Sequence, residues 1–392
     1  MVRGPRYGVY PRWIAALAAT SIACGTDVRV GRIPGDGGDE QGGAVTGVAV
    51  GLTHHCLIRD GALLCEGYSL HGELVGPIAM RPVDGVAGAV EVAAGHSFTC
   101  VRHGDGGVSC VGANQYGQLG RGVADDHSLV VERIEGLSAR SIAAGVDTMC
   151  AQTDDDRLLC WGRNDFGQVA PSSAEPAIRA PVELAGISAR QVSLGAAHTC
   201  VVTAAGGVLC FGRNADGELG DGSGADVRGP VEVRGLGSGV SRVQCSNNPY
   251  QPGASCALRA DGTIACWGHP SDGVIGDGTG DTAFAPVEVA GVAGAGALWL
   301  GGKTVLARSG SGTVVWGHPG ALVGVVDRDA LTWLSPAPLP ALDRFDALAV
   351  NLSSACGLDA GRVYCWGIND AEQFAGVAPG AIVPITELSL PP

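Results

Sequence analysis

The chain has 392 residues, of which 64 are Gly and 14 are Cys. A formal net charge of −14 argues against a nucleic-acid partner, whose phosphates are held by Lys and Arg, and 46% apolar residues exclude a disordered chain. Only 16% of residues are charged, and no apolar run reaches the roughly 18 residues that a membrane-spanning helix needs.

The N-terminus reads as an export signal over residues 1–23. Arg3, Arg6 and Arg12 form a basic leader, and a short apolar stretch runs from Trp13 to Ala23. Ser21-Ile22-Ala23-Cys24 resembles the bacterial lipoprotein cleavage box, in which the new N-terminal Cys is lipid-modified. It departs from that box at Ser21, where Leu is usual. Ser21-Ile22-Ala23 equally fits the small-x-Ala pattern of the ordinary signal peptidase, which cuts the same bond. Cys24 is therefore the candidate lipid attachment site, with plain secretion as the alternative. Residues 24–44 are Gly-rich and mostly polar, the composition of a flexible tether.

From residue 45 the chain repeats. Cysteines fall in pairs: Cys56 with Cys65, Cys100 with Cys110, Cys150 with Cys160, Cys200 with Cys210, Cys256 with Cys266, and Cys356 with Cys365. The one wide gap, between Cys256 and Cys356, holds a unit without cysteines, in which Lys303-Thr304-Val305 aligns with His198-Thr199-Cys200 and places Val305 and Val315 at the two Cys positions. Seven units of roughly 50 residues point to a solenoid, propeller or array.

Each pair brackets two apolar segments around a turn. Asp60-Gly61 and Ala360-Gly361 read as two-residue hairpin loops. Gly104-Asp105-Gly106, Ala204-Ala205-Gly206 and Ala260-Asp261-Gly262 read as three-residue loops that need a left-handed last residue. This spacing sets the two thiols opposite each other on adjacent strands. Together with export and the paired loss in the sixth unit, it predicts six intra-hairpin disulfides rather than buried thiols. A metal reading would add His55, His96 and His198, but the spacing lacks the short Cys-x-x-Cys pairs of zinc sites, and no metal is expected. Cys245 remains, as a buried thiol or as one that trades partners with Cys256.

Further echoes recur along the units, the first two departing at the aromatic-Gly step with Glu66-Gly67 and Val111-Gly112. An aromatic-Gly step follows the second Cys, as in Trp161-Gly162, Phe211-Gly212, Trp267-Gly268, Trp316-Gly317 and Trp366-Gly367. Then come Asn114-Gln115-Tyr116-Gly117-Gln118-Leu119-Gly120 and its relatives, and later Pro181-Val182-Glu183, Pro230-Val231-Glu232 and Pro286-Val287-Glu288. This cycle resembles the regulator of chromosome condensation repeat family. The resemblance spans residues 45–392 and implies an all-β fold, a seven-bladed β-propeller of small antiparallel sheets around a central channel. Pro384-Ile385-Thr386-Glu387-Leu388 repeats the Pro-Val-Glu strand with no hairpin after it. It is expected to complete the blade begun by Val45 and so close the ring. Trp267, Trp316 and Trp366 are expected to pack between blades.

Gly301-Gly302-Lys303-Thr304 contains a Gly-Lys-Thr but has Ala297 where a phosphate-binding loop needs its first Gly. It reads as the start of a hairpin strand. Asp221 and Asp277 read as turn residues rather than calcium ligands, and no cofactor is expected.

The resemblance implies nucleotide exchange on a nuclear GTPase beside chromatin, a role that an exported acidic chain does not fit. Other family-like propellers bind proteins through loops on one face, among them a secreted inhibitor of β-lactamases. The leading expectation is an exported, surface-tethered and monomeric interaction module without catalytic activity. It would bind an extracellular or envelope protein or glycan and touch the membrane only through its anchor. A propeller-face lyase or hydrolase acting on a polysaccharide is the alternative. No Ser-His-Asp, nucleophile-elbow or metal triad stands out, so no catalytic residue is assigned. The candidate binding residues are Tyr250 and Trp333, in the irregular inserts 246–255 and 323–334, and His269 and His318, which follow Trp267 and Trp316 at equivalent places in neighbouring units.

Overall fold

The computed structural model describes residues 28–29, 43–67, 78–250, 253–322, 324–326 and 332–390. The export signal, Cys24 and most of the tether lie outside the described residues. Seven antiparallel sheets follow one another along the chain, spanning 45–82, 89–138, 141–183, 189–232, 240–288, 295–338 and 347–387. Each is a four-stranded meander, here called blades 1 to 7. The first strands of successive blades pack side by side around the axis, and that of blade 1 also meets that of blade 7. The protein is thus a closed seven-bladed β-propeller. In blade 1 the segment Val28–Arg29 adds a short strand to the inner strand Val45–Val50.

The hairpins follow their turn chemistry. Asp60, Gly61, Ala360 and Gly361 all have positive φ, as the favoured two-residue loop requires. In the three-residue loops Gly106, Gly206 and Gly262 sit at φ 82–87°, and Asp156 takes the same role at 64°. The Cys of each pair therefore face each other directly across the hairpin, as in Cys100↔Cys110 and Cys200↔Cys210. All six expected disulfides are present. Cys56 is bonded to Cys65 in blade 1, Cys100 to Cys110 in blade 2, and Cys150 to Cys160 in blade 3. Cys200 is bonded to Cys210 in blade 4, Cys256 to Cys266 in blade 5, and Cys356 to Cys365 in blade 7. In every pair the Cα atoms are 4.0–4.1 Å apart.

The aromatic-Gly step is a β-bulge. In all seven blades the pairing of the third and fourth strands shifts register at this step, for example between Cys160 and Gly162. Gly162 has φ 104°, and a Cβ there would lie 2.3 Å from the Asp147 carbonyl oxygen. Only Gly permits both the conformation and the approach. The aromatic before it is buried against the preceding blade. Trp161 Nε1 donates to Gln118 O at 2.8 Å, Trp267 Nε1 to Glu218 O at 2.8 Å, and Trp316 Nε1 to Val274 O at 2.9 Å. The Asn of the repeated motif holds the loop that offers this carbonyl: Asn114 Oδ1 accepts from Leu119 N, and Asn214 Oδ1 from Leu219 N. The core is accordingly shared between blades rather than enclosed in each of them.

Two expectations are corrected. In blade 6 the residue opposite Val315 is Leu306, not Val305, which faces Trp316. Ser309 pairs with Gly312, so this hairpin has a two-residue loop, one residue shorter than the blade 4 hairpin used to align it. Leu306 and Val315 therefore replace the disulfide. The C-terminal strand Ile382–Glu387 pairs with Arg362–Ile368 of its own blade. Blade 1 already has an outer strand, Ile78–Pro82, in which Arg81 lies opposite Cys65. Its only echo of the Pro-Val-Glu signature is Pro82-Val83-Asp84, shifted so that Pro82 follows the residue opposite Cys65. Among the described residues no strand of blade 7 pairs with one of blade 1, and the ring closes through packing and side-chain hydrogen bonds. Asn351 Nδ2 donates to Val50 O at 3.0 Å, and the two blades share a core that includes Val50, Leu57, Ala349 and Phe374.

Candidate interaction face

The meander sends the loops after the first and third strands of every blade to one end of the ring, and the short hairpins to the other. The insert 246–253 follows the first strand of blade 5. His269 and His318 open the loops after the third strands of blades 5 and 6, and Trp333 closes the latter. All four candidate binding residues thus belong to one face and two neighbouring blades.

The insert in blade 5 is clamped at its base and exposed at its tip. Ser246 N donates to Ala254 O at 2.8 Å, and Ala254 N donates to Ser246 Oγ at 2.8 Å. Asn247 and Asn248 are buried, and Asn248 Oδ1 accepts from Tyr250 N at 3.0 Å. Tyr250 itself is 71% exposed. His269 N donates to Gly253 O at 2.9 Å, which ties the His269 loop to the foot of the insert.

An ion pair that sequence reasoning missed ties the His269 loop to the loop after the first strand of blade 6. Lys303 Nζ is 2.7 Å from Asp272 Oδ2. Asp272 sits at φ 57°, a left-handed conformation that Asp tolerates better than most residues. Lys303-Thr304 does open a hairpin strand, as its alignment implied. Lys303 is the one lysine of the sequence, which was the available signal; its partner, 31 positions earlier, gave none. His318 is half-buried and its Nδ1 accepts from Gly320 N at 3.0 Å, so Nε2 carries the proton. Burial lowers its pKa; the Asp272 carboxylate opposes the shift, and the Lys303 ammonium adds to it. The imidazole is therefore neutral at physiological pH and offers one N–H. Trp333 is half-buried and packs on the core shared by blades 4 to 6 and on that shared by blades 6 and 7.

Inner-rim loops meet over the axis. His96 N donates to Val146 O at 2.8 Å, and Thr53 Oγ1 to His96 O at 3.2 Å. A cavity of about 10 Å³ remains among Leu52, His96, Val146, Asn247 and Asn351, room for one water. Asp221 and Asp277 cap turns as expected, their Oδ1 atoms accepting from Ser223 N and Thr279 N.

Cys245 is fully buried and faces Ser255, whereas Cys256 faces Gln244 and is bonded to Cys266. The Cys245 Sγ lies within 4.8 Å of Cys200 Sγ and a ring nitrogen of His198, so the disulfide beside it is Cys200–Cys210 rather than Cys256–Cys266. His198 and His55 each approach cysteine sulfurs, but Cys200, Cys356 and Cys365 are disulfide-bonded and have no thiolate to offer a metal.

Comparison with known proteins agrees with this architecture. The family model "Regulator of chromosome condensation (RCC1) repeat" matches residues 89–118, 139–168 and 189–218. No curated protein matches the chain. Among solved structures, human WBSCR16 superposes with a TM-score of 0.69 at 20% identity, over 80% of this chain and 86% of that one. Yeast RCC1 (Prp20), solved with Kap60 bound, gives a TM-score of 0.68 at 18% identity, over 83% of each chain. Prp20p from Saccharomyces cerevisiae in a second structure gives 0.67 at 18% identity, over 83% and 85%. At these identities the likeness is one of fold. Three stretches of the chain match the regulator of chromosome condensation repeat, and the whole folds as a seven-bladed β-propeller.

Proposed function

We propose that this chain is an exported protein-binding propeller, held at the cell surface through Cys24, that captures an envelope or extracellular protein with the loop face of blades 5 and 6. The observation that carries this reading is Tyr250, 71% exposed at the tip of a loop whose base is clamped by Ser246 and Ala254. An exposed aromatic on a rigid mount loses little entropy on binding and is a common anchor of protein interfaces. The Lys303–Asp272 pair and the His318 N–H supply polar contacts beside it. The six disulfides are consistent with an extracellular protein.

Affinity capture from the native envelope and medium tests this reading. Wild type should retain a partner that Tyr250→Ala retains poorly and that deletion of residues 247–253 abolishes, with far-ultraviolet circular dichroism unchanged. Undiminished capture by both variants would remove the insert from the interface. Cys24→Ala should release the protein from membranes, and unchanged membrane association would refute the anchor.

A further inference from the structure

The outer strand of a propeller blade is a sheet edge with unpaired backbone groups, and natural proteins guard such edges, often with proline. Six of the seven outer strands here contain one: Pro82, Pro181, Pro230, Pro286, Pro336 and Pro384 in blades 1, 3, 4, 5, 6 and 7. Blade 2 is the exception. Its outer strand His127–Ser138 has no proline and is 12 residues long, against five to seven in the other blades. In blade 7, Pro384 stands two residues before Thr386, the residue opposite Cys365. In blade 2, Val130 stands two residues before Glu132, the residue opposite Cys110. In blades 3 to 6 the proline stands one residue before the residue opposite the second Cys position, a place held in blade 2 by Val131, so Val130 and Val131 cover both places where proline guards the outer strands of blades 3 to 7.

This edge also exposes apolar surface. Leu129 is 61% and Val130 63% exposed, against 39–41% for Phe284, Leu334 and Ile382, the exposed large apolar side chains of other outer strands. Val130 N donates to Ser128 Oγ at 3.3 Å and Val130 O accepts from the same hydroxyl at 3.0 Å, so both are held locally and not by another strand. Further along the strand a groove of about 480 Å³ runs between Asp105 and Arg133, Glu135 and Leu137.

We infer that the outer edge of blade 2 is a docking site for an extended peptide segment of a partner protein, rich in alternating apolar and basic residues, which adds to the blade as a fifth strand. Main-chain bonds along 127–138 would supply affinity and alternate side chains the selectivity. Charge selects the basic occupant. Asp105, Asp125, Asp126, Glu132 and Glu135 surround the strand, against Arg121 and Arg133. Arg121 pairs with Asp125 and Glu132, and Arg133 with Asp105, so five acids against two arginines leave the edge net negative. A second copy of this chain would set two such acidic edges against each other in a molecule of net charge −14. The site lies on the outer rim of blade 2 and does not depend on the loop face of blades 5 and 6.

The test uses the full chain and a fluorescent peptide of about twelve residues alternating Val with Lys, matched to the strand length. Val130→Pro installs the residue found at the equivalent place in blade 7, and Val130→Lys keeps the backbone while opposing a cationic ligand. Fluorescence anisotropy should show binding to wild type. It should weaken by about tenfold or more in each variant, and also as salt rises from about 50 mM to about 500 mM. A Val/Glu peptide should not bind. Equal affinity of wild type and both variants, or no binding to wild type, overturns the proposal. So does a wild-type dimer in sedimentation that Val130→Pro dissociates, which would assign the edge to self-association.

Discussion

His55 Nε2 and Ser354 Oγ share a 3.0 Å hydrogen bond across the seam where the last blade meets the first. It is one instance of a relation between neighbouring blades. His54 Nε2 meets Thr99 Oγ1 at 2.7 Å, and His198 Nε2 meets Ser255 Oγ at 2.8 Å. In each case the residue two before the Cys position of one blade reaches the residue one before it in the next. Where the first of these is apolar, so is the second: Phe98 is followed by Met149, and Ala254 by Val305, all buried. The closing seam thus uses the same bond as internal seams, with no exchanged strand.

Removing one partner of such a bond leaves a buried polar atom without its mate, at a cost of about 1–3 kcal/mol. Ser354→Ala should lower stability by that amount, read as a shift of the urea midpoint at unchanged slope. Ala360→Ser, in a hairpin loop of the same blade, should not. No shift for Ser354→Ala would show that the seam does not depend on His55.

Acid should loosen the ring. Burial pushes the His54 imidazole down to about 3, helped by the charges of His55 and His96, and burial together with the Arg213 charge does the same to His198. Both are neutral in the folded state and protonate near 6.5 when unfolded. Below pH 6.5 the unfolded chain therefore binds more protons, and stability falls as pH drops toward 3, by about 1.4 kcal/mol per pH unit for each histidine. Above pH 6.5 the two have no effect. The thermal midpoint should fall between pH 6 and pH 4, and His54→Gln should flatten that dependence. A midpoint equally steep in the variant would contradict the assignment.

Each disulfide closes a loop of about ten residues, worth about 2.7 kcal/mol in the chain-entropy model. Blade 6 shows what replaces it, Leu306 facing Val315. Cys100→Leu with Cys110→Val should therefore fold and lose at most about that amount, since apolar packing offsets part of it. Mass spectrometry of the unreduced wild type should find six intrachain bridges, and unbridged thiols at Cys100 and Cys110 would refute the pairing.

Gly162→Ala brings a Cβ to 2.3 Å from the Asp147 carbonyl oxygen, at a φ of 104°. The expected loss is about 2 kcal/mol or more. Gly186→Ala, also at positive φ but with nothing within 4 Å, should cost less. Equal losses would show that backbone conformation alone, not the close approach, requires Gly at the bulge.

Much of this architecture was legible because it is local. Cys spacing and turn residues such as Asp60-Gly61 report on hairpins of about ten residues, and seven copies make the period plain. What escaped lies between units or depends on one residue of length. The two-residue loop of blade 6 moved the Cys-equivalent position from Val305 to Leu306. The outer strand of blade 1 shows Pro-Val-Glu only as the shifted echo Pro82-Val83-Asp84, which made the C-terminal strand look like its missing partner. His54 and Thr99 are 45 positions apart, and nothing in either segment announces the bond. At the candidate face, the loops of Tyr250, His269, His318 and Trp333 were identifiable as breaks in the repeat. The Lys303–Asp272 pair was not, because it joins two blades. Val130 was hidden for another reason: its signal is the absence of a proline that the other outer strands possess.

The central claim is that the loop face of blades 5 and 6 binds a protein. Hydrogen exchange of the chain with and without its captured partner measures this directly. Protection concentrated in residues 246–253 and 318–333 is the predicted result. Protection confined to the hairpin tips at 104–106, 204–206 and 260–262, on the opposite end of the ring, would contradict it.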